Sequence, residues 1–161
     1  MGKQHDGGCL CGALCYCTTD APLRLVMCHC HFCQRSTGAA YAVEPFFLKD
    51  DFQVTEGAPA VYVHQSSGSG KALHLHFCSR CGTKIFTIFE RYADVMSVFA
   101  GTFDDPEWFE PPAVTRHVYL SSARSGTVIA PGIDVYLEGS FAADGQSNIA
   151  HAFKDFHIVH R

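Results

Sequence analysis

Apolar residues along the 161-residue chain come in short runs of Val, Ile, Phe, Tyr and Thr, cut by clusters of Gly, Pro, Asp and Ser. Helical spacing is scarce. This pattern predicts a mainly β domain, with strands at 13–18, 23–28, 40–43, 52–56, 61–64, 72–77, 84–89, 95–100 and 114–120, and a further one at 133–137. A short helix fits 148–155. Residues 65–70 (Gln-Ser-Ser-Gly-Ser-Gly) read as a hairpin loop. Residues 104–112, with Pro106, Pro111 and Pro112 around Trp108 and Phe109, read as an ordered, turn-rich connection. No internal repeat of about 20 residues or more appears, and a single domain over 1–161 is expected.

Composition narrows the function classes. With 47% hydrophobic and 17% charged residues the chain has enough apolar matter for a packed core, so extensive disorder is excluded. Its formal charge is −4, with no basic run or stripe, so a nucleic-acid partner is not expected. No apolar stretch reaches the roughly 18 residues of a membrane span. Residues 1–8 carry no apolar signal core, and Asp6 stands where a myristoylation signal wants Ser or Thr. The expected location is the cytoplasm.

That location changes how the nine cysteines read, because structural disulfides are rare in reducing compartments. An odd number also leaves one cysteine outside any complete disulfide framework. The cysteines fall into Cys9, Cys11, Cys15 and Cys17, then Cys28, Cys30 and Cys33, then Cys78 and Cys81. Two residues apart on an extended strand, Cys9 and Cys11 would point the same way, roughly 6.5–7 Å apart at Cα. Cys78-Ser-Arg-Cys81-Gly82 is a tight turn that presents two more thiolates. Together they form a closed four-thiolate set, the signature of a structural zinc. The plainer alternative is a pair of hairpin turns carrying buried free thiols.

Cys28, Cys30 and Cys33 offer three thiolates and an open fourth position, the layout of a catalytic zinc. Two zinc ions per chain are therefore expected. Cys15 and Cys17 read first as small buried side chains, although they compete with Cys9 and Cys11 for the first ion. His29 and His31 should point away from Cys28 and Cys30 if that segment is extended. They read as neighbours of the site or surface groups, and either can shuttle a proton. His74 and His76 read as partly exposed strand residues. His117, beside Arg116, is a candidate for lining the open site or a satisfied core histidine.

Three motifs, Gly7-Gly8-Cys9-Leu10-Cys11-Gly12-Ala13-Leu14, Cys28-His29-Cys30-His31-Phe32-Cys33-Gln34-Arg35-Ser36-Thr37-Gly38 and Phe77-Cys78-Ser79-Arg80-Cys81-Gly82-Thr83, resemble the glutathione-dependent formaldehyde-activating enzyme family. That family includes the centromere protein V type. Gly101-Thr102-Phe103-Asp104-Asp105-Pro106 and Arg116-His117 extend the likeness, so it spans residues 7 to 120. The resemblance implies an Mss4-like fold of antiparallel β-sheets with zinc-binding turns. It implies a structural zinc on Cys9, Cys11, Cys78 and Cys81, and a second zinc on Cys28, Cys30 and Cys33 near a bound glutathione. The family often has an Arg where Cys15 stands, and its glutathione-active members differ around the second motif.

The chemistry so implied is a carbon–sulfur lyase that forms or cleaves a thiol–aldehyde adduct such as S-hydroxymethylglutathione. Its partners are a small thiol, glutathione first, and an aldehyde, with His29, His31 or His117 as proton carrier. A zinc hydrolase using a metal-bound hydroxide is the alternative, and it lacks an obvious base because no Glu or Asp lies within the metal motif. A non-catalytic zinc module for protein partners is a third reading. The basic tail that would favour nucleic acid or microtubules is missing.

Overall fold

The computed structural model describes residues 3–105, 112 and 114–160. Its largest sheet contains β3 (Arg24–Cys28), β4 (Ala42–Leu48), β6 (Ala60–Gln65), β7 (Ala72–Phe77), β8 (Lys84–Phe89), β9 (Val95–Val98), β10 (Thr115–Val118) and β12 (Asp134–Val135). These run in the order β12-β10-β3-β4-β9-β8-β7-β6. A second sheet is β1 (His5–Gly8), β2 (Cys15–Thr18) and β5 (Phe52–Glu56), in that order. A small third sheet pairs β11 (Val128–Ile129) with β13 (His157–Ile158). The fold is mainly β, as expected. No helix among the described residues is long and apolar enough to cross a membrane.

Pairing is antiparallel except around β10, which runs parallel to both β3 and β12. Parallel neighbours need a crossover. In the sheet, β4 and β3 lie between β9 and β10, which follow one another among the strands in chain order.

Several expected boundaries shift. The strand expected at 40–43 instead runs from Ala42 through Leu48, past Glu44 and Pro45. The β9 ladder meets β4 only at Phe46, Phe47 and Leu48, so Pro45 lies one residue outside it and its missing N–H costs no bond there. The helix expected over 148–155 does not form. His151 and Val135 exchange both backbone hydrogen bonds (2.7 and 2.9 Å), and Phe153 O accepts from Gly132 N. Those non-local bonds displace an eight-residue helix that would nucleate poorly alone. A helix does form at α1 (His31–Thr37), where none was expected. Most of the connection expected around Trp108 lies outside the described residues.

Two cores hold the large sheet. One groups Leu14, Tyr16, Phe47, Ile85, Met96 and Phe103 with Cys9 and Cys78. The other groups Val26, Phe46, Leu75, Phe99, Val118 and Tyr136 with Cys28 and Cys33. Each core is thus continuous with one cysteine cluster, and burial of its apolar side chains positions the thiols.

Candidate metal centres

The first cluster is made by two turns that face each other. Cys9 N bonds Leu14 O (2.9 Å) and Gly12 N bonds Cys9 O (3.0 Å), closing a turn between β1 and β2. Cys9 and Cys11 therefore do not lie on an extended strand, as their spacing suggested. Gly12, at φ 71°, takes the left-handed conformation that reverses the chain. Between β7 and β8 the same pattern recurs: Gly82 N bonds Cys78 O (2.8 Å), Cys78 N bonds Thr83 O (2.9 Å), and Gly82 has φ 77°. Leu10 N donates to Thr83 Oγ1 (3.2 Å) and ties the two turns together.

The donor atoms of Cys9, Cys11, Cys78 and Cys81 lie within 4.8 Å of one another. Cys11 Sγ is 3.6 Å from Cys9 Sγ and 3.8 Å from Cys78 Sγ. A tetrahedron with metal–sulfur bonds of about 2.3 Å has edges of about 3.8 Å. The four sulfurs fit such an ion. Cys81 is drawn down to about 5, first by the Thr83 hydroxyl and then by the Thr83 backbone. This group joins a turn of the three-stranded sheet to a turn of the eight-stranded one.

The second cluster sits where β3 ends and α1 begins. Cys28 closes the strand, Cys30 is the helix N-cap, and Cys33 lies in the first turn. Cys30 Sγ accepts a hydrogen bond from Cys33 N (3.3 Å), the role a Ser or Asp oxygen usually plays. Gly38, at φ 71°, ends the helix. The turn of helix, rather than strand alternation, brings the three sulfurs within 4.8 Å of one another. Hydrogen bonds from Cys28 and then Cys33 pull the Cys30 thiol down to about 3, while Cys28 and Cys33 are pushed up. A divalent ion bound there would displace the remaining thiol protons. No fourth His, Cys, Asp or Glu among the described residues completes the set.

Cys28, Cys30 and Cys33 line a cavity of about 940 Å³, whereas no cysteine of the four-thiol group reaches it. Four cations also line it: Arg24, Arg35, Lys84 and Arg91. Tyr119 contributes a phenol that burial pushes up to about 12, so it remains a hydrogen-bond donor. Its backbone, at φ 59°, has the only left-handed conformation of a non-glycine among the described residues.

The candidate histidines separate. His31 opens α1, is exposed, and lines the cavity. His29 is fully buried, and its Nε2 lies 2.8 Å from Nδ1 of buried His117. The two rings stack at 5.2 Å and neither lines the cavity. Burial, and then His117, push His29 down to about 4; burial lowers His117 as well. Cys15 and Cys17 lie on β2 and belong to neither thiol group. His74 and His76 are half-buried on β7, as expected.

Sequence reading missed Glu44. This carboxylate is buried on β4, accepts a hydrogen bond from Ser97 Oγ at Oε1 (3.1 Å), and has Oε2 3.8 Å from Cys33 Sγ. Burial pushes it up to about 7. The available signal was a single acid inside the apolar run 39–48. A buried acid there would have no place unless it served a polar site.

Comparison with known proteins agrees with this layout. The family model described as glutathione-dependent formaldehyde-activating enzyme matches residues 4–122. A Halomonas elongata protein whose name carries the same description is 27% identical over 103 residues, 62% of this chain. The match spans 65% of that relative's length. Among solved structures, a Rhodobacter sphaeroides protein superposes with a TM-score of 0.50 at 20% identity, over 68% of this chain and 97% of the other. That last likeness concerns the fold.

Proposed function

The chain belongs to the glutathione-dependent formaldehyde-activating enzyme family, and on that premise we propose that it makes or cleaves a thiol–aldehyde adduct as a carbon–sulfur lyase. Glutathione is the proposed thiol, formaldehyde or another small aldehyde the second substrate, and the cytoplasm the location. The observation that carries the reading is the contrast between the clusters: only the three-thiol group faces the cavity.

The reaction balances without a redox partner. The thiol sulfur bonds to the carbonyl carbon, the carbonyl π pair becomes the hydroxyl oxygen's, and the thiol proton ends on that oxygen. Cleavage is the reverse. A zinc ion held by Cys28, Cys30 and Cys33 would supply Lewis acidity, keeping a thiol as thiolate near pH 7 or polarising a carbonyl. The other proposed zinc, on Cys9, Cys11, Cys78 and Cys81, is structural. Of the cavity-lining titratable groups, His31 on the helix that holds Cys33 and Glu44 beside the Cys33 sulfur are the proposed holders of the transferred proton. The buried His29–His117 pair braces the junction of β3 and β10 behind them.

The substrates equilibrate without an enzyme, so the fitting assay is exchange spectroscopy by NMR on glutathione, formaldehyde and their adduct at equilibrium. Zinc-loaded protein should raise the exchange rate, and Cys33→Ser should abolish the increase. Unchanged exchange at full zinc occupancy would refute the reading. Glu44 favours one second reading, a hydrolase, since it supplies the base that the sequence motif lacked. Hydrolysis of S-formylglutathione, without faster adduct exchange, would select it.

A further inference from the structure

Arg24 opens β3, and its guanidinium lines the cavity that also contains the three thiols. The carbon of that guanidinium lies 4.2 Å from the Phe46 ring centroid and 5.7 Å from that of Tyr92. Both rings line the cavity too. A guanidinium held by aromatic faces is fixed in orientation while its N–H edge stays available. No described residue takes that edge. Among the described residues the one ion pair is Lys71–Glu90, and no hydrogen bond from Arg24 is found. Arg91, on the same cavity, differs: its nitrogens donate to the carbonyls of Phe141 and Ala142.

A second, independent observation lies on the neighbouring strand. β10 runs parallel to β3 and sets Arg116 opposite Val26, two residues along from Arg24. Arg116 is held over the Tyr136 ring, and its Nε is buried with no hydrogen-bond partner. Desolvation lowers Arg24, Tyr92 opposes that shift, and the charge of Arg116 adds to it. Arg24 on the cavity wall and Arg116 on the adjacent strand thus set two positive charges side by side, and among the described residues neither has an ion-pair partner. The missing partner is an anion, and the planar fork of Arg24 matches a carboxylate.

We propose that Arg24 is the specificity-determining residue for the thiol substrate, binding one of its carboxylates while the thiol end meets Cys28, Cys30 and Cys33. This rests on the thiol–aldehyde reading and deepens it: the site takes thiols that carry a carboxylate, and discriminates against neutral ones. Arg116 stands behind Arg24 and strengthens the field without touching the ligand.

The test is a cycle of binding measurements by calorimetry on the zinc-loaded full chain. Wild type and Arg24→Met are each titrated with glutathione and with glutathione diethyl ester, whose carboxylates are blocked. The methionine keeps an aliphatic stem against Phe46 and Tyr92; Arg24→Gln, also uncharged, is the second variant should that protein aggregate. A charge-assisted pair predicts that esterification weakens binding to wild type on the order of 10–100-fold. In Arg24→Met the ester and the free acid should bind alike. Equal loss of both ligands in the variant, or no loss of either, would overturn the proposal. A separate arm isolates the identity of the thiol, using 3-mercaptopropionate against 2-mercaptoethanol. If wild type ignores glutathione but prefers the mercapto acid, and Arg24→Met loses that preference, Arg24 keeps its role and glutathione falls. If wild type shows no carboxylate preference in either arm, the assignment of Arg24 falls.

Discussion

The two thiol clusters differ in a way that runs against a simple use of burial. The four-thiol group is the wetter one, with Cys11 exposed and Cys81 partly so, yet it does not line the cavity described above. The three-thiol group is the drier one, with Cys28 and Cys33 buried, yet it opens on a large cavity. Exposure to bulk water therefore does not mark the chemical centre. On the proposed reading what marks it is an incomplete donor set facing a cavity lined with cations. The four-thiol group has instead two matched turns and a complete tetrahedron, and it links separate sheets. On the proposed reading its role is to hold the molecule together.

The largest expected effect tests that division of labour. Binding of a structural zinc contributes on the order of 10 kcal/mol to small zinc domains, against a total stability of about 5–15 kcal/mol for typical domains. Cys81→Ser should leave little soluble protein, measured as yield after clarification. Cys33→Ser should remain folded by circular dichroism, and elemental analysis should show zinc falling from two ions per chain to one. Soluble Cys81→Ser alongside unfolded Cys33→Ser would mean that the two roles are exchanged.

Next comes the carboxylate beside the open cluster. Glu44→Gln keeps the shape and the Ser97 contact but cannot accept a proton. Loss of a proton carrier costs typically about 10²–10⁴-fold in rate, so exchange of the adduct should slow by at least 10²-fold with zinc content unchanged. A wild-type rate would leave His31 as the carrier, and His31→Asn would then show the loss.

The smallest effect concerns pH. His29 and His117 both hold proton affinities below the ordinary histidine value, so the folded chain binds fewer protons than the unfolded one. Their contribution is complete above about pH 6.5 and is lost as pH falls through that value toward about 4, where His29 protonates. The size is on the order of 1–2 kcal/mol, discounted for partial solvation. Urea midpoints at pH 7.5 and 5.5 should differ less in His117→Gln than in wild type. An equal difference in both proteins would assign the acid sensitivity to the thiols instead.

The spacing of the cysteines, the following glycines and the β-type runs were legible in the chain, because they act over a few residues. They determined the grouping of the seven thiols, the tight Cys78–Cys81 turn, and all but three short strands of the sheets. The helix α1 was hidden. Its seven residues bury only Cys33, and a cysteine caps it in place of the usual oxygen side chain; Gly38 was the one readable stop. Glu44 was hidden too, because Glu-Pro looks like a strand break until the β9 ladder is seen to end one residue short of Pro45. The pairing of His29 with His117 and the placing of Arg116 opposite Val26 depend on β10 lying parallel to β3. That juxtaposition joins residues about 90 positions apart. No local pattern carries it, since it follows from which sheet edge a crossover covers, and that is decided when the whole core packs.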